Sequence, residues 1–226
     1  MENKSSTNWW YTRIKIRMGK LADLLLTEDE QNPTKKFRLY CDMDGVLCDF
    51  DRQFIDMLNN RNYGGKHYRT EELQGIESPS DFESKFGAPE FWKFIDDICG
   101  KDFWAKMEWT PGGQQLWGAI SNYNPSLLTA PSRNMVSRIG KRSWAKSHLT
   151  PSPEGIIFKY SAYKQEVAEQ DVAKGLEPIL IDDRREIIDR WQDAGGIGIH
   201  HPKNGDPSQV IARIKKLYGE STQEGI

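Results

Sequence analysis

The chain is poor in cysteine, with 3 among 226 residues. Cys41, Cys48 and Cys99 share no metal-ligand spacing, and an odd count builds no disulfide framework, so they read as free thiols of a reducing compartment. Long apolar runs are missing too. None approaches the roughly 20 residues of a membrane-spanning helix, which argues against such a span. The opening residues, MENKSSTNWW, lack the apolar stretch of a secretory signal, so the expectation is a cytoplasmic protein. Neither sign of charge dominates: 31 Lys and Arg stand against 33 Asp and Glu, a net −2. That balance argues against bulk binding to nucleic acid or to an anionic membrane. Aromatic residues, by contrast, are plentiful, with 8 Trp, 9 Phe and 8 Tyr. They supply large apolar area, and the length suits one sizeable domain or one domain carrying an insertion.

Residues 1–36 precede the first clear strand. Within them, 10–18 alternates loosely like an edge strand, Leu21 to Leu26 suggests a short helix, and 28–36, with Pro33, reads as a linker. From Phe37 onward, short apolar runs alternate with helical periodicity. The runs are Leu39–Cys41, Leu127–Thr129, Ile156–Phe158, Pro178–Ile181 and Ile197–His200. Helices are expected around Phe54 and Leu58, around Leu116 and Ile120 (with Thr110 as N-cap and Pro111 at the first position), over 163–173, around Ile187 and Trp191, and around Val210 and Leu217. This pattern argues an α/β fold, a doubly wound parallel sheet with helices on both faces.

One connection is too long for a simple crossover. A βα connection usually takes about 2–6 residues, so residues 51–108 read as an insertion with its own structure. Its stretch 59–75 looks like loop. Most of its many aromatics should form a small core, with one or two facing the main site.

Ligands bind at the carboxyl ends of the strands in such a sheet. Asp42 and Asp44 stand at the mouth of the first strand, two residues apart, with Gly45 for the turn. Paired carboxylates there make a hard oxygen site of the kind Mg²⁺ takes, although D-x-D-G alone is also common in surface turns. Downstream strand mouths carry Thr129, a lysine (Lys159 or Lys164) and the pair Asp182-Asp183. Lys164 is the preferred lysine, because it begins a helix and leaves room for a return loop before Asp182. Residues 133–146 carry Arg133, Arg138, Lys141, Arg142 and Lys146 with no acid among them. They read as a solvated helix face, the alternative being a surface toward a nucleic-acid strand. His200-His201 reads as structural.

This ordered set resembles the haloacid dehalogenase (HAD)-like hydrolase superfamily. The matching text is YCDMDGV, SLLT, Lys164 in SAYKQEVA, and ILIDD, with the insertion in the position of that superfamily's helical cap on a Rossmann-like core. The resemblance covers about residues 37–201. Within the superfamily the chain is most similar to the 5′(3′)-deoxyribonucleotidase family, on DFWAKMEWTPGG, LLTAP and ILIDDR. Ala130 departs from that family's usual Ser. The resemblance implies a Mg²⁺-dependent phosphomonoesterase releasing phosphate from nucleoside monophosphates through an aspartyl-phosphate. It implies Asp42 as nucleophile and metal ligand, and Asp44 as general acid and base that lends the metal its backbone carbonyl. Asp182 and Asp183 complete the metal set; Thr129, the backbone at Ala130, and Lys164 hold the phosphate. Phe50 is implied as a contact to the base, with Phe103 and Trp104 as further candidates. Two other readings stand beside this one: a phosphatase of nucleic-acid ends, and a non-catalytic binding protein that kept the fold.

Overall fold

The computed structural model of the protein describes residues 36–219. The strand expected over 10–18 and the helix over 21–26 lie outside the described residues, as does nearly all of the linker. Five strands form one parallel sheet: β1 (Phe37–Cys41), β2 (Ser126–Thr129), β3 (Ile156–Phe158), β4 (Glu177–Asp182) and β5 (Ile197–His200). Their order is β3-β2-β1-β4-β5. The chain therefore works outward from β1 in one direction, then crosses back to lay β4 on the other side of β1. The seam between β1 and β4 is the topological switch point, where a parallel sheet opens a crevice at its strand ends.

Side-chain alternation explains why helices cover both faces. In β1, β2 and β4, Leu39, Cys41, Leu127, Ile179 and Ile181 join one buried cluster, while Tyr40, Leu128 and Leu180 between them join the other. Period-2 alternation with both sets apolar is what a sheet buried on both sides requires.

Between β1 and β2 the chain builds α1 (Phe50–Asn59), α2 (Gly64–His67), α3 (Pro79–Phe86), α4 (Ala88–Lys93), α5 (Lys101–Ala105) and α6 (Gly113–Ile120). A π-helical segment, Phe94–Cys99, runs on from α4. Later come α7 (Met135–His148), α8 (Gln165–Val172), α9 (Arg185–Asp193) and α10 (Ser208–Leu217). Helices α8 and α9 pack Val167, Ala168, Ile187, Ile188 and Trp191 on one face of the sheet. Helices α6, α7 and α10 contribute Leu116, Ile120, Trp144, Val210 and Ile214 to the cluster on the other.

The insertion has its own aromatic centre. Phe54 of α1 meets Phe82, Phe91 and Phe94 with ring centroids 5.4, 5.2 and 5.4 Å apart. Offset and edge-to-face pairs at such distances stabilise beyond area burial alone. The stretch 59–75 is not bare loop, since it holds α2 and a 3₁₀ turn at Thr70–Leu73. Thr110 does not cap a helix either. Its side chain is buried and its hydroxyl donates to the Val46 carbonyl at 2.7 Å, while the helix begins three residues later. A hydroxyl that can satisfy a carbonyl of the turn after β1 outweighs local capping preference. Helix α8 likewise begins after Lys164, with Ser161–Tyr163 in a 3₁₀ turn.

The insertion is locked to the sheet's helices at a point of backbone contact. A Cβ on Gly140 of α7 would lie 2.4 Å from the Cβ of Trp104 and 2.8 Å from the Lys101 carbonyl oxygen. Only glycine lets α5 and α7 approach so closely. The substitution Gly140→Ala should therefore lower unfolding free energy by about 1–3 kcal/mol, the usual cost of overpacking. Thermal or urea unfolding checks it, and an unchanged midpoint would contradict this packing.

Candidate active site

The site begins where β1 ends. Asp42 still holds the sheet, its N–H donating to the Ile181 carbonyl at 2.9 Å. Its neighbour across the switch point is the end of β4, so Asp182 and Asp183 arrive beside it. Carboxylate oxygens of Asp42, Asp182 and Asp183 lie within 4.8 Å of one another. The turn that follows depends on Gly45, which has φ +80°. A Cβ there would also lie 2.3 Å from Asp183 Oδ2, so both backbone conformation and space demand glycine.

Two buried lysines answer the acids. Lys164 Nζ lies 2.7 Å from Asp182 Oδ2 and 3.0 Å from Asp42 Oδ1. The second contact is an ion pair without hydrogen-bond geometry, and Asp42 Oδ1 is left buried with no hydrogen bond. Lys159, the other candidate lysine, instead pairs with Glu166 at 2.5 Å. The second buried lysine is Lys141 of α7, which is 0% exposed. Its Nζ lies 2.6 Å from Asp44 Oδ2, 2.8 Å from Thr129 Oγ1 and 2.7 Å from the Ala130 carbonyl oxygen. It also lies 4.9 Å from the centre of the Trp104 ring.

The basic run 133–146 is thus not a wholly solvated face. Lys141 belongs to the inward stripe Ser137, Gly140, Lys141, Trp144 and Ala145, spaced as one face of a helix. That spacing was the available signal, and the surrounding basic residues hid it. Arg138 and Arg142 place their guanidinium groups over the Phe158 ring, 5.8 and 4.9 Å from its centre.

A cavity of about 200 Å³ opens above these groups, lined by Asp42, Asp44, Phe50, Trp104, Ala130 and Asp183 among others. Thr129 is fully buried beneath it, its hydroxyl accepting from Lys141. Phe50, half-buried, faces the cavity. Phe103 does not line it. Its ring is buried behind Phe50, centroids 5.2 Å apart. The larger hollow of about 860 Å³, among Leu58, Lys66, Tyr68 and Leu73, contains none of these residues. His200 uses Nε2 on the Asp183 carbonyl at 2.9 Å, and the Cys41 and Cys48 thiols are buried in packing.

The electrostatics follow from crowding. Burial first, then the negative charge of Asp42, pushes Asp182 up to about 6 and Asp183 up to about 7. Asp44 is also raised, by burial, although Lys141 pulls the other way. Burial works against the charge of Lys164, but Asp42 and Asp182 outweigh it and raise its affinity for a proton. When fully ionised, the four carboxylates outnumber the two buried lysines by two negative charges. Together with the orphaned Asp42 oxygen, that donor set fits a hard divalent cation held by oxygen atoms.

The chain is a hydrolase of phosphate esters built on a parallel α/β sheet. The model of the family described as 5′ nucleotidase, deoxy (pyrimidine), cytosolic type C protein matches residues 36–212, and the chain belongs to that family of nucleotidase-type phosphatases. No curated protein matches it. Similar solved structures include a HAD family enzyme from Bacteroides thetaiotaomicron in complex with magnesium and inorganic phosphate. It is 18% identical, with 78% of this chain and 98% of that one covered and a TM-score of 0.45. A haloacid dehalogenase-like hydrolase from Xanthomonas campestris is 14% identical over 83% of this chain and 93% of that one, TM-score 0.48. A haloacid dehalogenase-like family protein from Streptococcus pneumoniae is 13% identical over 79% and 90%, TM-score 0.49. Among the described residues no helix is long and apolar enough to cross a membrane.

The raised carboxyls set a direction for stability against pH. Asp182 and Asp183 titrate near 6 and 7 in the fold, but near 3.9 when unfolded. Between about pH 4 and 7 the native state therefore holds protons that the unfolded chain has released, and stability falls as pH rises through that window. In chelator, the melting temperature should drop by several degrees from pH 5 to pH 8. Asp183→Asn should flatten the drop. A wild-type curve that rises over this range, or one that the variant follows unchanged, would refute the crowding.

Proposed function

We propose that the protein is a Mg²⁺-dependent nucleotidase that transfers the phosphoryl group of a nucleoside monophosphate to Asp42 and then to water. The observation that carries this reading is the division of the acids between two lysines. Asp42, with Asp182 and Asp183, is served by Lys164, whereas Asp44 is served by Lys141. A nucleophile and a proton carrier need such different surroundings.

Asp42, which lines the catalytic cavity, attacks phosphorus in line and splits one hard step into two. Asp44 then has the opposite task. Burial raises its carboxyl, which favours holding a proton to give to the leaving alkoxide, and later to take one from the attacking water. Lys164 offsets charge on the transferring group. The cation would be held by Asp42, Asp182, Asp183 and the Asp44 carbonyl, and when bound it offsets the repulsion between carboxylate and phosphate. Thr129 acts through Lys141, and the backbone at Ala130 lies at the cavity wall where phosphate oxygens would sit. The insertion serves as a cap, with Phe50 and Trp104 at the catalytic cavity toward the leaving nucleoside and Phe103 supporting Phe50 from behind. Three buried, unpaired thiols suit the reducing cytoplasm.

Purified protein with Mg²⁺ should release phosphate from a panel of 5′- and 3′-nucleotides, and Asp42→Asn should abolish turnover. Retained turnover in that variant would sink the nucleophile assignment. Lys141→Met should lower kcat by roughly 100-fold or more, the scale of lost general acid-base work. Because Lys141 holds the Asp44 carboxyl down, its loss should also move the Asp44 limb of the kcat profile to higher pH. A fall in kcat with no movement of that limb would leave Lys141 a packing residue.

A further inference from the structure

One buried acid takes no part in this chemistry. Asp96 sits on the π-helical segment of the insertion and is 8% exposed. Single π-helical turns inside helices are frequent at functional sites. Asp96 Oδ1 accepts from the Ser132 hydroxyl at 2.8 Å, just past the end of β2. Burial raises its carboxyl, and Ser132 and Trp104 only partly hold it down. No cation pairs with it among the described residues.

Asp96 faces a cavity of about 500 Å³, lined also by Trp92, Pro131, Ser132, Arg133 and Tyr160. This cavity adjoins the catalytic one, since Trp92, Pro131 and Ser132 line both. Trp92 and Tyr160 keep 43% and 45% of their surface open. Open aromatic rings beside a buried acceptor-only group are suited to a flat heterocycle that carries an N–H donor. A carboxylate also discriminates between rings of one shape. It accepts from an exocyclic amino group, whereas a ring carbonyl at the same position meets it lone pair to lone pair.

We infer that this second cavity is the base subsite, and that Asp96 selects a cytosine ring over a uracil ring. The inference rests on the nucleotidase reading above and names the base that the reading leaves open. Asp96 is a specificity-determining residue: the leaving nucleoside spans from the catalytic cavity to the pair Trp92 and Tyr160, and its amino group meets the free carboxylate oxygen.

The test is the ratio of kcat/KM for dCMP over dUMP, with p-nitrophenyl phosphate as a baseless ester. In the wild type the ratio should exceed about ten, the scale of one good hydrogen bond to the correct base edge. The isosteric change Asp96→Asn keeps an acceptor for Ser132, so the contact between insertion and β2 loop survives. It should bring the ratio toward one or below. Trp92→Ala, at an exposed position, should raise KM for dCMP several-fold more than KM for p-nitrophenyl phosphate. A wild-type ratio near or below one overturns the inference, as does a ratio that Asp96→Asn leaves unchanged while lowering both rates. If the wild type turns over p-nitrophenyl phosphate but no nucleotide, the nucleotidase reading falls and this inference with it. Turnover of nucleotides without discrimination defeats this inference alone.

Discussion

Everything around the site answers one electrostatic problem: three carboxylates meet at the seam between β1 and β4. Asp42, Asp182 and Asp183 bring oxygens within 4.8 Å in a place mostly closed to water. Like charges so placed repel, and burial adds to the cost of each. The fold tolerates this through Lys164, through partial protonation, and through room for a cation. The crossing from β3 back to β4 makes the crowding unavoidable. It lays β4 against β1 in register, Ile181 beside Cys41, so the residues that follow on both strands must face each other. The glycine after Asp44 then admits Asp183 where any side chain would exclude it.

The second lysine separates two acids that lie only two residues apart. Lys141 reaches from α7 to Asp44, and it also fixes Thr129 and the carbonyl of Ala130. Its ammonium lies against the Trp104 ring, so the same helix that carries the charge also contacts the insertion. In the proposed reaction, any shift of the insertion against α7 would therefore reach the proton carrier as well as the substrate's base.

Much of this was legible in the sequence. The strand runs, the doubly wound sheet and the clustering of Asp42, Asp44, Lys164, Asp182 and Asp183 follow from alternation and from which residues close each strand. Lys164, just before α8, joins the acids, whereas Lys159 pairs with Glu166. What escaped was set by tertiary partners. Lys141 lies in a run of basic residues whose solvation looked like the cheaper outcome, and only the inward stripe of α7 distinguishes it. Thr110 looked like an N-cap because capping is local, whereas its true partner, the Val46 carbonyl, is 64 residues away in sequence. Phe103 and Phe50 are alike in composition. Which ring lines the cavity and which supports it depends on how α1 and α5 pack.

In the inference drawn for Asp96, such tertiary pairings turn a shared fold toward a particular substrate. Its sequence context, FIDDIC, is that of an amphipathic helix, and an acid there would ordinarily face water. The π-helical turn changes the phase of the segment and brings Asp96 inward, while Asp97 beside it stays exposed. The carboxylate then has to find donors, and the protein supplies one hydroxyl from the loop after β2. With that hydroxyl and the nearby Trp104 indole as its neutral partners, the carboxylate is under-satisfied, because each oxygen can accept more than one hydrogen bond. The remaining acceptor capacity is directed at a cavity flanked by two open rings. At the strand ends the acids are paired with lysines, whereas in the second cavity the acid faces open rings and no cation among the described residues. Chemistry and selection are in this way assigned to different walls, the strand ends and the insertion, with the short segment from Pro131 to Ser132 common to both.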